Sequence, residues 1–463
     1  MKLSDVKNYE AAVSYCLEIP RFTKKNSMES TKAFYEYIGN PGSRSKIVHV
    51  AGTNGKGSVC AFLQSICMEM NKKVGMFTSP HLCDIRERVR IDGELIETEE
   101  FFAAFRKLAD KLNAFCTEKE EQKEYHPSFF EWLFFIAMLY FEKINPDVIL
   151  LETGLGGRLD ATNCIENPAV TIITKIGFDH IEYLGDTIKQ IAGEKAGIIK
   201  PGIPVIYLQD KKDADAVIEE KAKSLSSPCV FVSKEQVDSI FFHDKHIDFS
   251  YKSRYYGYVR FSVCTTAFYQ VENAILAVNA AEELFYDSLD SKGDMLSAEP
   301  FILNADNKNA SFLDVEVLQK GISAMHWEGR MEEVIPGVFL DGAHNEDGID
   351  AFLGSVSQDG CTGKRGLLFS AVSDKQYGKM AKMITDSGLF DKIYTAPIDS
   401  ARGVDVKDLE LLFEGVEHVI HAGSPEEALT EMLDDRGVDD YLYVAGSLYL
   451  IGQLKEWFKG VSK

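Results

Sequence analysis

Basic residues are scarce in this chain. Lysine and arginine number 50 against 72 aspartates and glutamates, a formal net charge of −22. General binding to nucleic acid or to an anionic membrane needs the opposite surface, so neither partner is expected. A locally positive site for an anionic substrate stays compatible with that field. Long apolar runs are missing too. The longest, "WLFFIAMLYF" at 132–141, falls short of the about 20 residues that span a bilayer and is expected in a buried helix. The first 20 residues lack the uninterrupted apolar core of a signal peptide. Nine cysteines are scattered with no CxxC pair. Such an odd, unpatterned set reads as reduced structural thiols and points to the cytoplasm. No internal repeat and no Ser-His-Asp or Cys-His arrangement stands out.

What is there is ordinary globular material. The 463 residues are 45% hydrophobic and 26% charged, enough for two or three domains around large cores. Apolar runs at 46–52, 147–152, 169–176 and 203–208 read as buried parallel strands. Helical periodicity lies between them at 57–70, 98–115, 128–143, 187–198 and 211–224. This alternation predicts a doubly wound, mostly parallel α/β sheet, with ligands at the carboxyl ends of its strands. A second series at 337–345, 365–372, 392–398 and 440–447 predicts a smaller, Rossmann-like α/β domain. The expected division is 1–325 and 326–463, with the polar stretch 285–314 as a surface insertion before the linker.

The stretch "IVHVAGTNGKGSVCAFLQ" at 47–64 is a strand, a loop of small residues and a helix. Gly52, Gly55 and Gly57 let the backbone approach a ligand closely. Successive amides around Thr53, Asn54 and Gly55 can form an anion nest, aided by the helix N-terminus. Lys56 supplies a full charge for phosphates, and Ser58 a hydroxyl for Mg²⁺. The order G-T-N-G-K-G-S differs from the common GxxxxGK[ST] by an extra glycine after the lysine.

That loop resembles the phosphate loop of the folylpolyglutamate synthase and dihydrofolate synthase branch of the Mur ligase superfamily. The resemblance continues in order along nearly the whole chain. It runs through "TSPHL" (78–82), "FFEWLFFIAMLYF" (129–141), "ETGLGGRLDATN" (152–163), "DHIEYLG" (179–185) and "EKAGIIKPGIPV" (194–205). "GR" (329–330), "DGAHN" (341–345) and "AGSLYLIG" (445–452) follow.

Ser79, Glu152 and His180 each follow a predicted parallel strand and so fall at one sheet edge. Alone, Glu152 reads as a helix or loop cap, His180 as a satisfied core histidine and Ser79 as a turn residue; that reading weakens because all three sit after parallel strands. The resemblance implies that with Ser58 they hold two magnesium ions. It also implies that Lys195, otherwise a solvated helix lysine, is carbamylated and joins that set. Lys200 reads as an ordinary surface lysine.

The resemblance places the pterin of dihydropteroate or tetrahydrofolate against Ser128, Phe129, Phe130 and Glu131 and against Leu159, Asp160 and Ala161. It places Asn273, Arg330 and Asp341 with the loop residues around ATP. His344 and Ser447 are candidates for the incoming L-glutamate, and His344 with Lys56 and Lys195 for the chemistry. Where the family usually reads W-P-G-R, this chain has W-E-G-R at 327–330, which implies a looser hinge. Arg86, Arg88, Arg90 and Arg402 stay unassigned.

The implied reaction is ligation of L-glutamate to a folate carboxylate through an acyl phosphate, with ATP consumed. A need for a monovalent cation stays open, and a monomer is expected. A polyglutamate-only synthase, a muramyl-peptide ligase, a P-loop kinase or switch, and a silent binding module are the alternatives.

Overall fold

The computed structural model describes residues 3–19, 26–243, 245–285, 313–373 and 375–461. Most of the segment read as an insertion, 286–312, lies outside the described residues. The first sheet contains β1 (Lys46–Ala51), β2 (Val74–Phe77), β3 (Val89–Ile91), β4 (Glu94–Leu95), β5 (Val148–Glu152), β6 (Val170–Ile173), β7 (Val205–Leu208) and β8 (Cys229–Val232). Their order is β4-β3-β2-β5-β1-β6-β7-β8. All neighbours from β2 to β8 run parallel, and β3 and β4 add an antiparallel edge.

β1 lies between β5 and β6, with Val48 opposite both Leu150 and Val170. Alternate residues serve opposite layers. Val48, Val50 and Leu150 pack towards helices Lys56–Glu69, Gln270–Phe285 and Val315–Ala324. Ile47, Ile149 and Leu151 pack towards helices Tyr9–Glu18, Thr98–Glu118 and Phe129–Ile144. Burial on both faces is why these strands read as unbroken apolar runs rather than alternating ones. The run 132–141 does sit in a buried helix, Phe129–Ile144, opened by a capping box between Ser128 and Glu131.

β9 (Val237–Phe242), β10 (Ile247–Ser253) and β11 (Gly257–Val263) form an antiparallel sheet that the sequence reading did not resolve. Its signal was present in β10, where Ile247, Phe249, Tyr251 and Ser253 are buried in alternation. The second large sheet holds β12 (Glu332–Ile335), β13 (Val338–Leu340), β14 (Arg365–Phe369), β15 (Lys392–Thr395), β16 (Val419–His421) and β17 (Tyr441–Ala445). Its order is β12-β13-β17-β14-β15-β16, parallel apart from edge strand β12. Helices cover both faces.

One buried acid titrates against the fold. Glu282 is 2% exposed; its Oε1 accepts from Ser253 Oγ at 2.6 Å, and its Oε2 has no hydrogen-bond partner among the described residues. Burial raises its pKa to about 7. Between the unfolded carboxylate value and about 7 the folded chain holds the extra proton, so stability falls as pH rises through that window. Glu282→Gln is expected to stabilise the chain by about 1–3 kcal/mol at pH 8 and by little at pH 5. Thermal unfolding of both proteins at the two pH values checks this; a less stable variant at pH 8 contradicts it.

Candidate active site

The chain leaves β1 into the glycine loop and enters the helix Lys56–Glu69 at its carboxyl edge. Gly55 caps that helix at φ +92, and a Cβ there would lie 2.3 Å from Asn273 Oδ1. Only glycine meets both demands. Asn273 donates to Gln270 Oε1 at 2.8 Å, and Gln270 donates to Ser58 Oγ at 3.2 Å. Lys56 Nζ folds back onto the carbonyls of Gly52 and Thr53, both at 3.1 Å, and stands 3.8 Å from Glu152 Oε1.

The additional glycine has a local cause. A Cβ on Gly57 would sit 3.0 Å from the ring of Trp327, a ring that also carries the Arg90 guanidinium 5.6 Å from its centroid. Gly57→Ala is expected to displace the loop and raise KM for ATP roughly 10-fold, with a smaller change in kcat. Steady-state kinetics over ATP checks it; an unchanged KM shows that the ring yields instead.

β2, β5 and β6 deliver the next groups to the same edge. Glu152 ends β5, is 4% exposed, and accepts from Ser79 N at 2.9 Å. Burial raises its pKa and the nearby Lys56 opposes this. Lys195 is 3% exposed and donates to Gly52 O at 2.7 Å. Burial, then the charge of Lys56, lowers its pKa to about 7. It is therefore no solvated lysine. His180 starts a short helix with φ +49, its Nε2 3.3 Å from Lys375 Nζ. The donors Ser58, Ser79, Glu152 and His180 suit a magnesium ion shared with phosphate oxygens, and the buried Glu152 charge calls for such a counter-ion. An ammonium at Lys195 would repel that ion, whereas a carbamate on its nitrogen would offer it oxygen donors.

Two cavities open here. One of about 160 Å³ is bordered by residues 52–58, Glu152, Lys195, Asn273, Arg330 and Asp341. The other, of about 490 Å³, is bordered by Ser128, Phe129, Phe130, Glu131, Leu159, Asp160, Ala161 and Ser447. Ser79, His180 and His344 border both. The sequence-predicted residues thus fall into two neighbouring groups with a common border.

Within the larger cavity, two predicted carboxylates are already engaged by the protein. Glu131 Oε1 accepts from Thr31 Oγ1 at 2.7 Å, and its Oε2 from Asn26 Nδ2 and Ser128 N, both at 2.8 Å. Asp160 Oδ2 accepts from Gly154 N and Leu155 N, both at 2.9 Å, and Oδ1 from Thr162 Oγ1 at 2.6 Å. They hold the wall in shape. Phe130 packs against Gly154, and Leu159 is 46% exposed.

The second sheet contributes from β13 and β17. Asp341 is 2% exposed and pins the junction: its Oδ2 accepts from Tyr269 OH at 2.5 Å and Met331 N at 2.9 Å. Arg330 donates to Gly329 O at 2.8 Å. His344 Nδ1 donates to Gly342 O at 2.7 Å, and its Nε2 faces Asp179 Oδ2 at 3.9 Å. Burial, then Lys375, lowers the His344 pKa to about 4, so the ring is neutral near pH 7. Ser447 Oγ accepts from Tyr449 N at 3.2 Å, at the start of the last helix.

Sequence reasoning missed Asp179, Lys375 and Asn345. Lys375 ion-pairs with Asp179 across the two sheets, which holds the Asp179 carboxyl below the usual range despite burial. Asn345 Nδ2 reaches Asp179 Oδ2 at 3.2 Å and Asn54 Oδ1 at 3.1 Å. Their one signal was position, just after a strand or inside "DGAHN". One expectation is corrected. Lys200 is buried, not on the surface: its Nζ donates to Asn163 O at 3.1 Å, and burial lowers its pKa. At the linker, Glu328, which stands where the family has proline, pairs with Lys455 at 2.8 Å. Arg402 donates to Tyr449 OH at 3.1 Å beside the larger cavity.

A phosphate-loop α/β unit facing a second, mostly parallel sheet across two joined cavities defines an ATP-dependent amide ligase of the Mur type. Residues 50–281 match the Mur ligase middle domain and residues 329–448 the Mur ligase glutamate ligase domain. The chain belongs to this family, in its dihydrofolate synthase/folylpolyglutamate synthase branch. It is 32% identical to the Bacillus subtilis dihydrofolate synthase/folylpolyglutamate synthase, over 97% of this chain and 99% of that protein. The Mycobacterium tuberculosis folylpolyglutamate synthase complexed with ADP superposes with a TM-score of 0.84 at 25% identity, covering 97% of this chain and 99% of the other. An FPGS–AMPPCP–folate complex gives 0.78 at 27% identity, over 98% of this chain and all of the other, 100%.

Proposed function

We infer that this chain is an ATP-dependent acid–amino-acid ligase that adds L-glutamate to folates. It extends tetrahydrofolate towards polyglutamates and converts dihydropteroate to dihydrofolate. The observation that carries the reading is the common border of the two cavities at Ser79, His180 and His344. A nucleotide in one and a folate in the other bring γ-phosphate and carboxylate together there.

The chemistry is phosphoryl transfer followed by acyl transfer. A carboxylate oxygen of the folate attacks the γ-phosphorus; its O–P bond forms, the bond to the β-phosphate oxygen breaks, and ADP leaves. The glutamate amine then attacks the acyl carbon, the C–N bond forms, phosphate departs and the nitrogen gives up a proton. No protein nucleophile takes part, so positioning and charge stabilisation do the catalysis. Lys56 and Arg330 neutralise the transferring phosphoryl group. Two Mg²⁺ ions, held by Ser58, Ser79, Glu152, His180 and carbamylated Lys195, would supply further charge neutralisation there. His344 and Ser447 receive L-glutamate. Glu131 and Asp160 shape the pterin pocket, while Phe129 and Phe130 give it an aromatic wall.

The same reading divides the chain at 325/326, just before the Trp327–Arg330 linker, and has it working as a cytoplasmic monomer. No helix among the described residues is long and apolar enough to cross a membrane, and the nine cysteines are free. A coupled ADP assay with dihydropteroate and tetrahydrofolate separately, each with L-glutamate, tests the function. ADP release should require both the folate and L-glutamate, and hydroxylamine should trap the acyl phosphate. ADP release without glutamate, with phosphate on a hydroxyl acceptor, would instead mark a kinase.

A further inference from the structure

We propose that the turn joining β9 to β10 carries a transition-metal site of the zinc type, formed by His243, His246 and Asp248. The strand register puts these three side chains together. Phe242 pairs with Ile247, and His243 N donates to His246 O at 2.9 Å, so His243 and His246 stand opposite one another across the turn. Asp248 follows His246 by two residues and shares its face of β10, while Ile247 and Phe249 point into the core. The imidazole rings stack with centroids 4.3 Å apart and planes 14° from parallel.

Both Nε2 atoms lie near the carboxylate. His243 Nε2 lies 3.5 Å from Asp248 Oδ2, and His246 Nε2 lies 3.7 Å from Asp248 Oδ1. All three donor atoms lie within 4.8 Å of one another. An ion about 2.0–2.1 Å from each donor in tetrahedral geometry needs donors roughly 3.3 Å apart, so binding requires the donors to close by about an ångström and the two stacked rings to rotate until both Nε2 lone pairs meet the ion. Two imidazoles and one carboxylate suit Zn²⁺, Co²⁺ or Ni²⁺, whereas Mg²⁺ takes oxygen donors. The three residues border neither cavity of the cleft. Half-exposure of both rings leaves a fourth position for water. In the same turn, Lys245 pairs with Glu333 of β12 at 3.1 Å. A bound ion would therefore stiffen a turn that touches the second sheet.

The test uses the full-length, metal-stripped chain in excess Mg²⁺, titrated with ZnCl₂ by calorimetry and with CoCl₂ by absorption. The wild-type chain should bind one zinc more than the double variant His243→Ala/His246→Ala and show a tetrahedral cobalt spectrum that the variant lacks. Asp248→Asn should weaken that zinc by about 10-fold or more. Zinc should raise the unfolding temperature of the wild-type chain alone. Unchanged Mg²⁺-dependent ligase activity in the variants shows that they fold. Equal zinc stoichiometry and affinity in wild type and double variant would overturn the proposal and leave the cluster as a surface ion pair.

Discussion

Glutamine in place of Glu152 is expected to lower ATP turnover by roughly 1000-fold while leaving the unfolding temperature unchanged or higher. The two effects have one origin. The Glu152 carboxylate is 4% exposed, with a single backbone donor, Ser79 N, and an ammonium no nearer than 3.8 Å. Such a buried, partly compensated anion costs stability, and burial raises its pKa accordingly. In the metal-free chain its contribution to stability falls as pH rises above the ordinary carboxylate range. The glutamine has the same shape, can still accept from Ser79 N, and removes the charge. What is lost is the anion that would hold Mg²⁺ beside the phosphates. Activity and thermal unfolding measured on one preparation decide the matter. A variant that unfolds early and loses activity in proportion would make Glu152 a structural residue and remove it from the ion-binding set.

Alanine at Lys195 is expected to cost about as much, again roughly 1000-fold in kcat. The Lys195 amine is buried beside the phosphate loop, with Gly52 O at 2.7 Å as its hydrogen-bond acceptor. As an ammonium it would stand next to Lys56 and against any cation at Glu152. As an amine it can attack carbon dioxide: the N–C bond forms, one C=O electron pair moves onto oxygen, and the nitrogen sheds a proton. With a pKa lowered to about 7, the neutral amine becomes the majority form as pH rises through 7, so loading should fail below that value. Bicarbonate labelled with ¹³C should give a carbamate resonance in the wild-type chain at pH 8 that weakens by pH 6. Lys195→Arg should show none and should not recover activity. A fully active enzyme in carbon-dioxide-free buffer, without that resonance, rules the carbamate out.

The chemistry was most legible where function follows local order. The phosphate loop declares itself because strand, small residues, lysine, serine and helix come in sequence within 47–64. Ser79, Glu152 and His180 could be grouped because each ends or follows a parallel strand, and parallel strands place their carboxyl ends on one edge. The family motifs extended this to Arg330, Asp341 and Ser447. Lys200 was misread because burial of a lysine depends on what folds over it, here the 157–163 loop with Asn163 O as acceptor. Glu131 and Asp160 were legible as pocket residues. Their occupation by Thr31, Asn26 and the 154–155 amides was not, because those donors come from other elements or from a loop turned back on itself.

By itself, then, the sequence determined the layered α/β architecture, the nucleotide loop and the family of the reaction. Apolar periodicity, glycine placement and motif order are local properties that survive without knowing how elements pack. Only the tertiary structure decided which groups share the cleft. Asp179 and Lys375 stand 196 positions apart, and Asn54 and Asn345 stand 291 apart. Their meeting depends on how two sheets dock, and docking is set by the summed packing of many buried side chains, to which no short stretch of sequence holds the key.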